Sequence, residues 1–193
     1  LGEEDIDYKK EIHPKYEGIA KLKLYVESLC KFYSNNSKIK FSILRHSNLF
    51  GPFDKFFNKK SHFMAAIISK IIKLKKNDKL QVWGDGKEKR DFLHVDDFLI
   101  ALDMIIRKQK KKYEIFNVCY GEQFSIREIL FKLQKKEILQ NKVIFLKQKP
   151  TIKVNILVSN SKIKKTIGWQ PSLKLEDSIE ETFDWVKNYY KIV

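Results

Sequence analysis

The stretch "YEGIAKLKLYVESLCKFYSNNSKIKFSILRHSNLFG" (16–51) decides the fold class of this chain. Its first half has apolar residues at helical spacing and predicts an amphipathic helix from residue 16 to about 33. These apolar residues are Ile19, Leu22, Val26, Leu29 and Tyr33. A β-branched and aromatic run follows and ends at a Gly-Pro pair, as a strand that leads into a loop. A helix followed by a strand is half of a βαβ crossover, so we expect an α/β fold with a largely parallel sheet.

The remaining sequence continues this alternation. Ser125 and Glu128 form a predicted capping box at a helix start, and Asp96 and Asp97 are predicted to cap another helix. Gly168 is predicted to end a short helix, and a loop is expected around Pro150. Helices are predicted at about 61–74, 98–109, 125–136, 159–167 and 175–190, and further strands at 79–83, 113–121 and 142–146.

Composition narrows the class of protein. The 193 residues are 43% apolar and 13% aromatic, which is typical of a globular chain, and they contain neither a predicted membrane span nor a visible secretory signal. Cys30 and Cys119 are expected to be thiols in a reducing cytoplasm. No zinc pattern is present, and we expect no metal.

The net charge of +15 invites a nucleic-acid function. However, the lysines are scattered through every segment, and arginine, which binds phosphates and bases better, occurs only four times. We therefore expect no nucleic-acid partner, although a positive surface would attract an anionic small substrate.

Six stretches in a fixed order carry a resemblance to a known family. They are "YEGIAK", "LRHSNLFGPFDKF", "SHFMAAIISK", "VWGDGKEKRDFLHVDD", "FNVCYGEQFSIREI" and "IGWQPSLKLEDSIEET". Together they resemble the later half of extended short-chain dehydrogenase/reductases of the NAD-dependent epimerase/dehydratase family, most like the GDP-L-fucose synthases and related GDP-sugar 4-reductases and epimerases.

The resemblance implies a partial Rossmann fold whose N-terminal cofactor half is absent, together with a smaller α/β substrate-binding domain. Residues 1–52 would be the remnant of the dinucleotide-binding domain with the catalytic helix. Residues 53–193 would mainly bind the nucleotide sugar, with about 95–120 returning to the Rossmann sheet. The sequence has no G-x-x-G-x-x-G turn, so we expect that it does not hold NAD or NADP tightly.

In the family a tyrosine and a lysine four residues later transfer the proton at the sugar carbonyl, and the lysine also binds the nicotinamide ribose. The candidates here, Tyr16 and Lys21, are five residues apart, which does not place them on one helix face. Several alternatives remain open: Glu17 occupies the tyrosine position, Lys23 acts from one turn further on, a local bulge restores Tyr16 with Lys21, or Tyr16 only packs at the helix entry.

The resemblance also assigns other site residues. His62 matches a histidine that acts as acid/base in epimerisation, and a near-neutral imidazole suits that task. Ser47, Asn48 and Leu49 match the loop that contacts the cofactor, and Asn48 would also contact substrate. The matches to residues that bind the nucleotide sugar are Lys70, Trp83, Arg90 and Lys149.

The implied function is an NAD(P)-dependent reductase or epimerase acting on a GDP-4-keto-6-deoxy sugar in the cytoplasm, with this sequence as an incomplete chain. The expected partner is a second copy, through a helical interface that includes the catalytic helix, or a missing N-terminal cofactor domain. The alternatives are an enzyme similar to UDP-glucose 4-epimerase or to a dehydratase, and a non-catalytic fragment or partner subunit that binds sugar nucleotides.

Overall fold

The computed structural model describes residues 1–6, 14–149 and 156–192. The α/β class is confirmed, since helices alternate with strands along these ranges. The predicted loop around Pro150 lies outside the described residues. The helices are α1 (Glu17–Asn36), α2 (Phe63–Lys73), α3 (Val95–Lys108), α4 (Ile126–Lys135), α5 (Ser161–Ile167) and α6 (Leu175–Tyr189). The strands are β1 (Phe41–His46), β2 (Asn48–Phe50), β3 (Lys79–Trp83), β4 (Lys89–Arg90), β5 (Phe92–His94), β6 (Tyr113–Val118), β7 (Phe124–Ser125) and β8 (Lys142–Leu146).

The strand pairing among the described residues is mostly parallel, as predicted. β1 pairs with β6, β2 with β5 and β3 with β8, each in parallel, whereas the short β4 and β7 pair antiparallel. Parallel neighbours bring their carboxyl ends to one edge, which is where such sheets bind ligands. The loops after β1 and β6 therefore lie near each other.

Two apolar cores hold the strands and helices together. One joins α2, α4 and α6 to β3, with Ile68, Leu80 and Ile129 fully buried. The other packs α3 and α5 against β6, with Ile105 and Phe116 fully buried. The second core lies beside the β1–β6 pair and the first beside β3.

Helix α1 is only partly covered. The predicted apolar spacing is present, but Ile19, Leu22 and Val26 are all about half exposed. The helix is tied to β1 by a polar contact instead, because the Arg45 guanidinium donates to both carboxylate oxygens of the buried Glu27 at 2.9 and 2.6 Å. Its apolar side is therefore a surface.

Helix ends follow the prediction in two cases and depart from it in a third. Ser125 and Glu128 form the capping box of α4, and Gly168 ends α5 in the left-handed region at φ +79°. The predicted cap of α3 by Asp96 and Asp97 is wrong: the capping residue is His94, whose Nδ1 accepts from the backbone N–H of Asp96 at 3.4 Å.

The Asp97 carboxylate makes contacts with a distant segment instead of capping α3. It is buried, and its carboxylate accepts from the backbone N–H and hydroxyl of Ser172 at 3.0 and 2.8 Å and from the N–H of Leu173 at 3.2 Å. It therefore anchors the segment before α6 to the start of α3. Asp96 remains in the first turn, where a carboxylate is favourable to the helix dipole.

None of the described helices is long and apolar enough to cross a membrane. Within the same residues, no group of three or more His, Cys, Asp and Glu side chains is placed to hold a metal ion.

Candidate active site

The loop that follows β1 is fixed by backbone and side-chain hydrogen bonds. The N–H of Ser47 donates to the carbonyl of Val118 at 3.2 Å. Both the N–H and the side-chain amide of Asn48 donate to the carbonyl of Asp91, at 3.2 and 2.8 Å. These bonds join the ends of β1 and β6 to the residue between β4 and β5, so the position of the Asn48 side chain is set by three segments.

Two adjoining cavities open at this edge of the sheet. The His62 cavity, of about 490 Å³, is lined by His46, Ser47, Asn48, Leu49, Phe50, Gly51, Pro52, Phe53, Asp54, His62, Phe63, Met64, Arg90, Phe92 and Val95. The Tyr16 cavity, of about 350 Å³, is lined by Tyr16, Ser47, Asn48, Lys89, Arg90, Asp91, Gln123, Ile156 and Val158. They adjoin because Ser47, Asn48 and Arg90 line both.

Six of the sequence-predicted site residues therefore line the walls of these two cavities. Tyr16 is the residue immediately before α1, 43% exposed, and it lines the same cavity as Asn48 and Arg90. The other three are Ser47, Leu49 and His62.

Lys21 is placed differently. Its ammonium donates to the Glu17 carboxylate at 2.5 Å, one helical turn earlier. This hydrogen bond and the charge of Lys21 lower the pKa of Glu17. Among the described residues, Lys21 lines neither the His62 cavity nor the Tyr16 cavity.

His62 occupies the capping position of α2 without using its side chain there. Its backbone carbonyl accepts from the N–H of Ala66 at 2.9 Å, and its imidazole makes no capping bond. The side chain is exposed at the cavity wall. An exposed imidazole that is not used by the helix can exchange protons with a bound molecule.

Arg90 lies where the two cavities meet. It is the last residue of β4, and its guanidinium carbon is 5.8 Å from the centre of the Phe63 ring. The ring gives the planar guanidinium an apolar support, and the forked N–H groups of an arginine match a diphosphate.

The other three predicted substrate contacts lie apart from these cavities: Trp83 and Lys149 lie together near the ends of β3 and β8, and Lys70 lies on α2 beside β3. The Lys149 ammonium is 5.8 Å from the centre of the Trp83 ring, which is 55% exposed. Lys70 donates to the carbonyl of Gln81 at 3.1 Å, on the same strand as Trp83. None of the three lines the His62 or Tyr16 cavity.

Asp91 is a site residue that was not predicted. It is 5% exposed, and its carboxylate accepts from the N–H groups of Tyr120 and Gly121 at 3.0 and 2.7 Å. Burial raises the pKa of Asp91, and the hydrogen bonds from the N–H groups of Gly121 and Tyr120 partly oppose that rise. The signal in the sequence was an acid placed directly after Arg90 and before a buried strand.

The nearby thiol is not suited to nucleophilic chemistry. Burial raises the pKa of Cys119 to about 12, and the charges of Asp91 and Glu3 add to the rise. Its Sγ donates to the carbonyl of Val158 at 3.3 Å. The thiolate, which is the nucleophilic form, is therefore scarce at neutral pH.

Comparison with known proteins identifies the family of this chain. The profile of the NAD dependent epimerase/dehydratase family matches residues 3–119, more than half of the chain. The chain belongs to this family.

Particular relatives narrow the resemblance. The GDP-L-colitose synthase of Yersinia pseudotuberculosis is 27% identical over 188 residues, which cover 96% of this chain and 61% of that protein. The probable GDP-L-fucose synthase 1 of Oryza sativa subsp. japonica is 28% identical over 176 residues, covering 90% of this chain and 53% of that protein. The chain thus spans a little over half the length of these relatives.

A solved structure agrees on the fold. The GDP-L-fucose synthetase of Naegleria fowleri, whose structure is bound to NADP, superposes with a TM-score of 0.82 at 21% identity. The match covers 97% of this chain and 63% of that one. At this identity the likeness concerns the Rossmann-like fold alone.

Proposed function

We propose that this chain is the part of an NAD(P)-dependent nucleotide-sugar reductase or epimerase that binds the substrate and carries the catalytic helix, and that it acts on a GDP-4-keto-6-deoxy sugar. One observation carries the proposal: Tyr16, Asn48, His62 and Arg90 line two adjoining cavities at the carboxyl end of β1. A proton donor, an amide, an imidazole and a guanidinium suit a keto sugar attached to a diphosphate.

The proposed reaction divides the work among these side chains. NAD(P)H supplies a hydride for the C4 carbonyl when it is bound. The Tyr16 hydroxyl gives a proton to the carbonyl oxygen, and the Asn48 amide, held by Asp91, donates to a sugar oxygen. Lys21 remains the proposed partner of the tyrosine and of the ribose, and to act there it has to leave Glu17.

His62 is the proposed acid/base for protons at C3 or C5, next to the carbonyl, if the enzyme also epimerises. Arg90 is proposed to hold the diphosphate. The exposed Trp83 would then take the nucleoside end, because an exposed indole can stack on a base, and Lys149 and Lys70 would attract the neighbouring phosphates.

The chain fits the cofactor only in part. Ser47, Asn48 and Leu49 follow β1 and would contact the nicotinamide end, which agrees with ligand binding at strand carboxyl ends. No G-x-x-G-x-x-G turn for the pyrophosphate occurs in this sequence. We therefore propose that a further cofactor-binding half completes the site.

The proposed domains and partners have support in the fold. The proposed division is into residues 1–52 and 53–193, with about 95–120 returning to the Rossmann part. The core shared by Ile105 and Phe116 supports that return, and Ile163 and Trp169, outside 95–120, belong to the same core. The exposed apolar side of α1 supports a partner at this helix, either a second copy or the cofactor-binding half. Cys30 and Cys119 are free thiols, in line with a cytoplasmic protein.

Calorimetric titration of the chain tests the proposal. We expect GDP-L-fucose to bind and NADPH to bind weakly or not at all. Arg90→Ala should lower affinity for the nucleotide sugar at least about tenfold, since it removes a charged fork. Arg107→Ala is the matched control, because Arg107 is exposed and pairs only locally with Asp103 at 2.8 Å. Equal affinity of all three proteins, or tight NADPH binding, would contradict the proposal.

A second candidate is a non-catalytic sugar-nucleotide-binding fragment, and the pairing of Lys21 with Glu17 favours it. An enzyme similar to UDP-glucose 4-epimerase or a dehydratase would not need His62. The two enzymes can be distinguished in a protein completed with a cofactor-binding half. If solvent deuterium enters C3 or C5 of the sugar only when His62 is present, the reductase/epimerase is favoured. Absence of turnover favours the fragment.

A further inference from the structure

Phe53 combines high exposure with an unfavourable backbone conformation. Its φ is +65° and its side chain is 77% exposed, directly after the Gly51–Pro52 turn. A bulky residue at positive φ is an outlier whose strain persists only where the surrounding structure holds it, and such residues are common at active and ligand-binding sites. An exposed apolar ring gains little from folding, so burial does not account for the cost.

The ring is held in place by a ladder of aromatic side chains on α6. Phe53 meets the Trp185 ring at 4.8 Å with an interplanar angle of 62°, and the Tyr189 ring at 5.9 Å. Trp185 and Tyr189 are themselves stacked, 4.6 Å apart at 16°. Edge contacts of this kind orient a ring without covering both of its faces.

The position of Phe53 is suited to contact with the sugar and not with the nucleoside. Phe53 lines the His62 cavity together with His62, Asn48 and Arg90. The exposed Trp83, beside Lys149, lies outside that cavity. With the diphosphate at Arg90, Phe53 would contact the sugar end of the substrate and Trp83 the nucleoside end.

We propose that Phe53 is a specificity-determining residue whose ring packs against the apolar C–H face of the sugar in a nucleoside diphosphate sugar. This inference rests on the proposed function. The C–H hydrogens of a sugar carry partial positive charge and the face of a benzene ring is negative, so the two attract while both lose water. A 6-deoxy sugar, which has a methyl group in place of a hydroxymethyl group, suits such a contact well.

The test uses binding to this chain with GDP-L-fucose and GDP as probes. Phe53→Asn removes the ring, and asparagine tolerates the left-handed backbone. We expect about a 3- to 10-fold loss of affinity for GDP-L-fucose, the range of one aromatic contact, and no change for GDP. Phe53→Tyr keeps the ring and should retain both affinities.

Phe57 provides a matched control. It is also a phenylalanine at positive φ, +56°, but its ring is half-buried against the core, contacts Tyr190 at 5.1 Å and is not part of the cavity wall. Phe57→Asn should therefore leave both affinities unchanged. Thermal unfolding checks that Phe53→Asn is folded, and Phe53→Gly replaces it otherwise.

Two outcomes overturn the inference while leaving the proposed function standing. One is unchanged affinity of Phe53→Asn for GDP-L-fucose, and the other is an equal loss for GDP, which would place the ring at the nucleoside. If the unmodified chain binds neither probe, the proposed function fails, and the role of Phe53 fails with it.

Discussion

The Lys21 ammonium lies 2.5 Å from the Glu17 carboxylate, whereas Tyr16 precedes α1 at the wall of a cavity. Residues four apart face each other on a helix, so this geometry is what the spacing of Glu17 and Lys21 produces. The pair is largely exposed, and such pairs contribute little to stability. Loss of the Glu17–Lys21 pair should therefore change the stability of the chain little. Its main effect would be on whether Lys21 is available to the site.

The Tyr16 assignment predicts unequal effects of substitution. In a protein completed with a cofactor-binding half, Tyr16→Phe should lower turnover by about 10²- to 10⁴-fold, because it removes the proton donor. Glu17→Gln should maintain or raise turnover, since it releases Lys21. Steady-state kinetics measure both, with Tyr25→Phe, exposed further along α1, as the control. Full turnover of Tyr16→Phe would remove this tyrosine from the mechanism.

The contacts of Asp97 predict a large stability difference between two neighbouring aspartates. Asp97→Ala should lower the free energy of unfolding by about 2 to 4 kcal/mol, because three donors lose a buried charged acceptor. Asp96→Ala should cost less than about 1 kcal/mol, the size of a helix-dipole contribution. Urea denaturation compares them, and similar losses would show that Asp97 is not an anchor.

The buried ion pair of Glu27 and Arg45 predicts that the attachment of α1 to β1 depends on the charge of the Glu27 carboxylate. Glu27→Ala should destabilise the chain by about 3 to 5 kcal/mol, because Arg45 loses its buried carboxylate. Asp103→Ala, which removes the exposed partner of Arg107, should cost less than about 1 kcal/mol. The double variant Glu27→Leu/Arg45→Met should recover most of the loss. Circular dichroism during urea unfolding follows all three variants.

The raised pKa of Asp91 predicts how stability changes with pH. Because the folded chain holds this proton more tightly than the unfolded chain, the contribution is present below about pH 4 and is lost as the pH rises through the raised folded value. The stability of the unmodified chain relative to Asp91→Asn should therefore fall as pH increases from about 4. Parallel urea titrations across this range measure the difference, and a rise with pH would refute the assigned cause.

Local signals in the sequence predicted most of the fold. The helical spacing located α2, α3, α4 and α6, and the capping box and Gly168 located two helix ends. Strands β2, β4, β5 and β7 were missed because two or three residues are too few to show alternation. The exposure of Ile19 and Leu22 was also missed, since a periodic pattern gives the spacing of a face and not what covers it.

The candidate site was predicted from the family motifs that the sequence resembles and not from local patterns. Tyr16, Asn48, His62 and Arg90 line the two adjoining cavities, and their roles stay predictions. The contacts of Asp97 could not be predicted, because its partner Ser172 is 75 residues away in sequence. Contacts of this kind depend on how the whole chain packs, and short-range sequence patterns do not indicate that packing.

The apolar side of α1 has a consequence for how the chain behaves in solution. With a net charge of +15, copies repel one another at low ionic strength and stay dispersed. Added salt shortens the Debye length to about 10 Å at 0.1 M and weakens that repulsion, while contact between apolar surfaces persists. Light scattering should thus detect self-association of the chain that grows with salt, the reverse of what an assembly held by ion pairs would do.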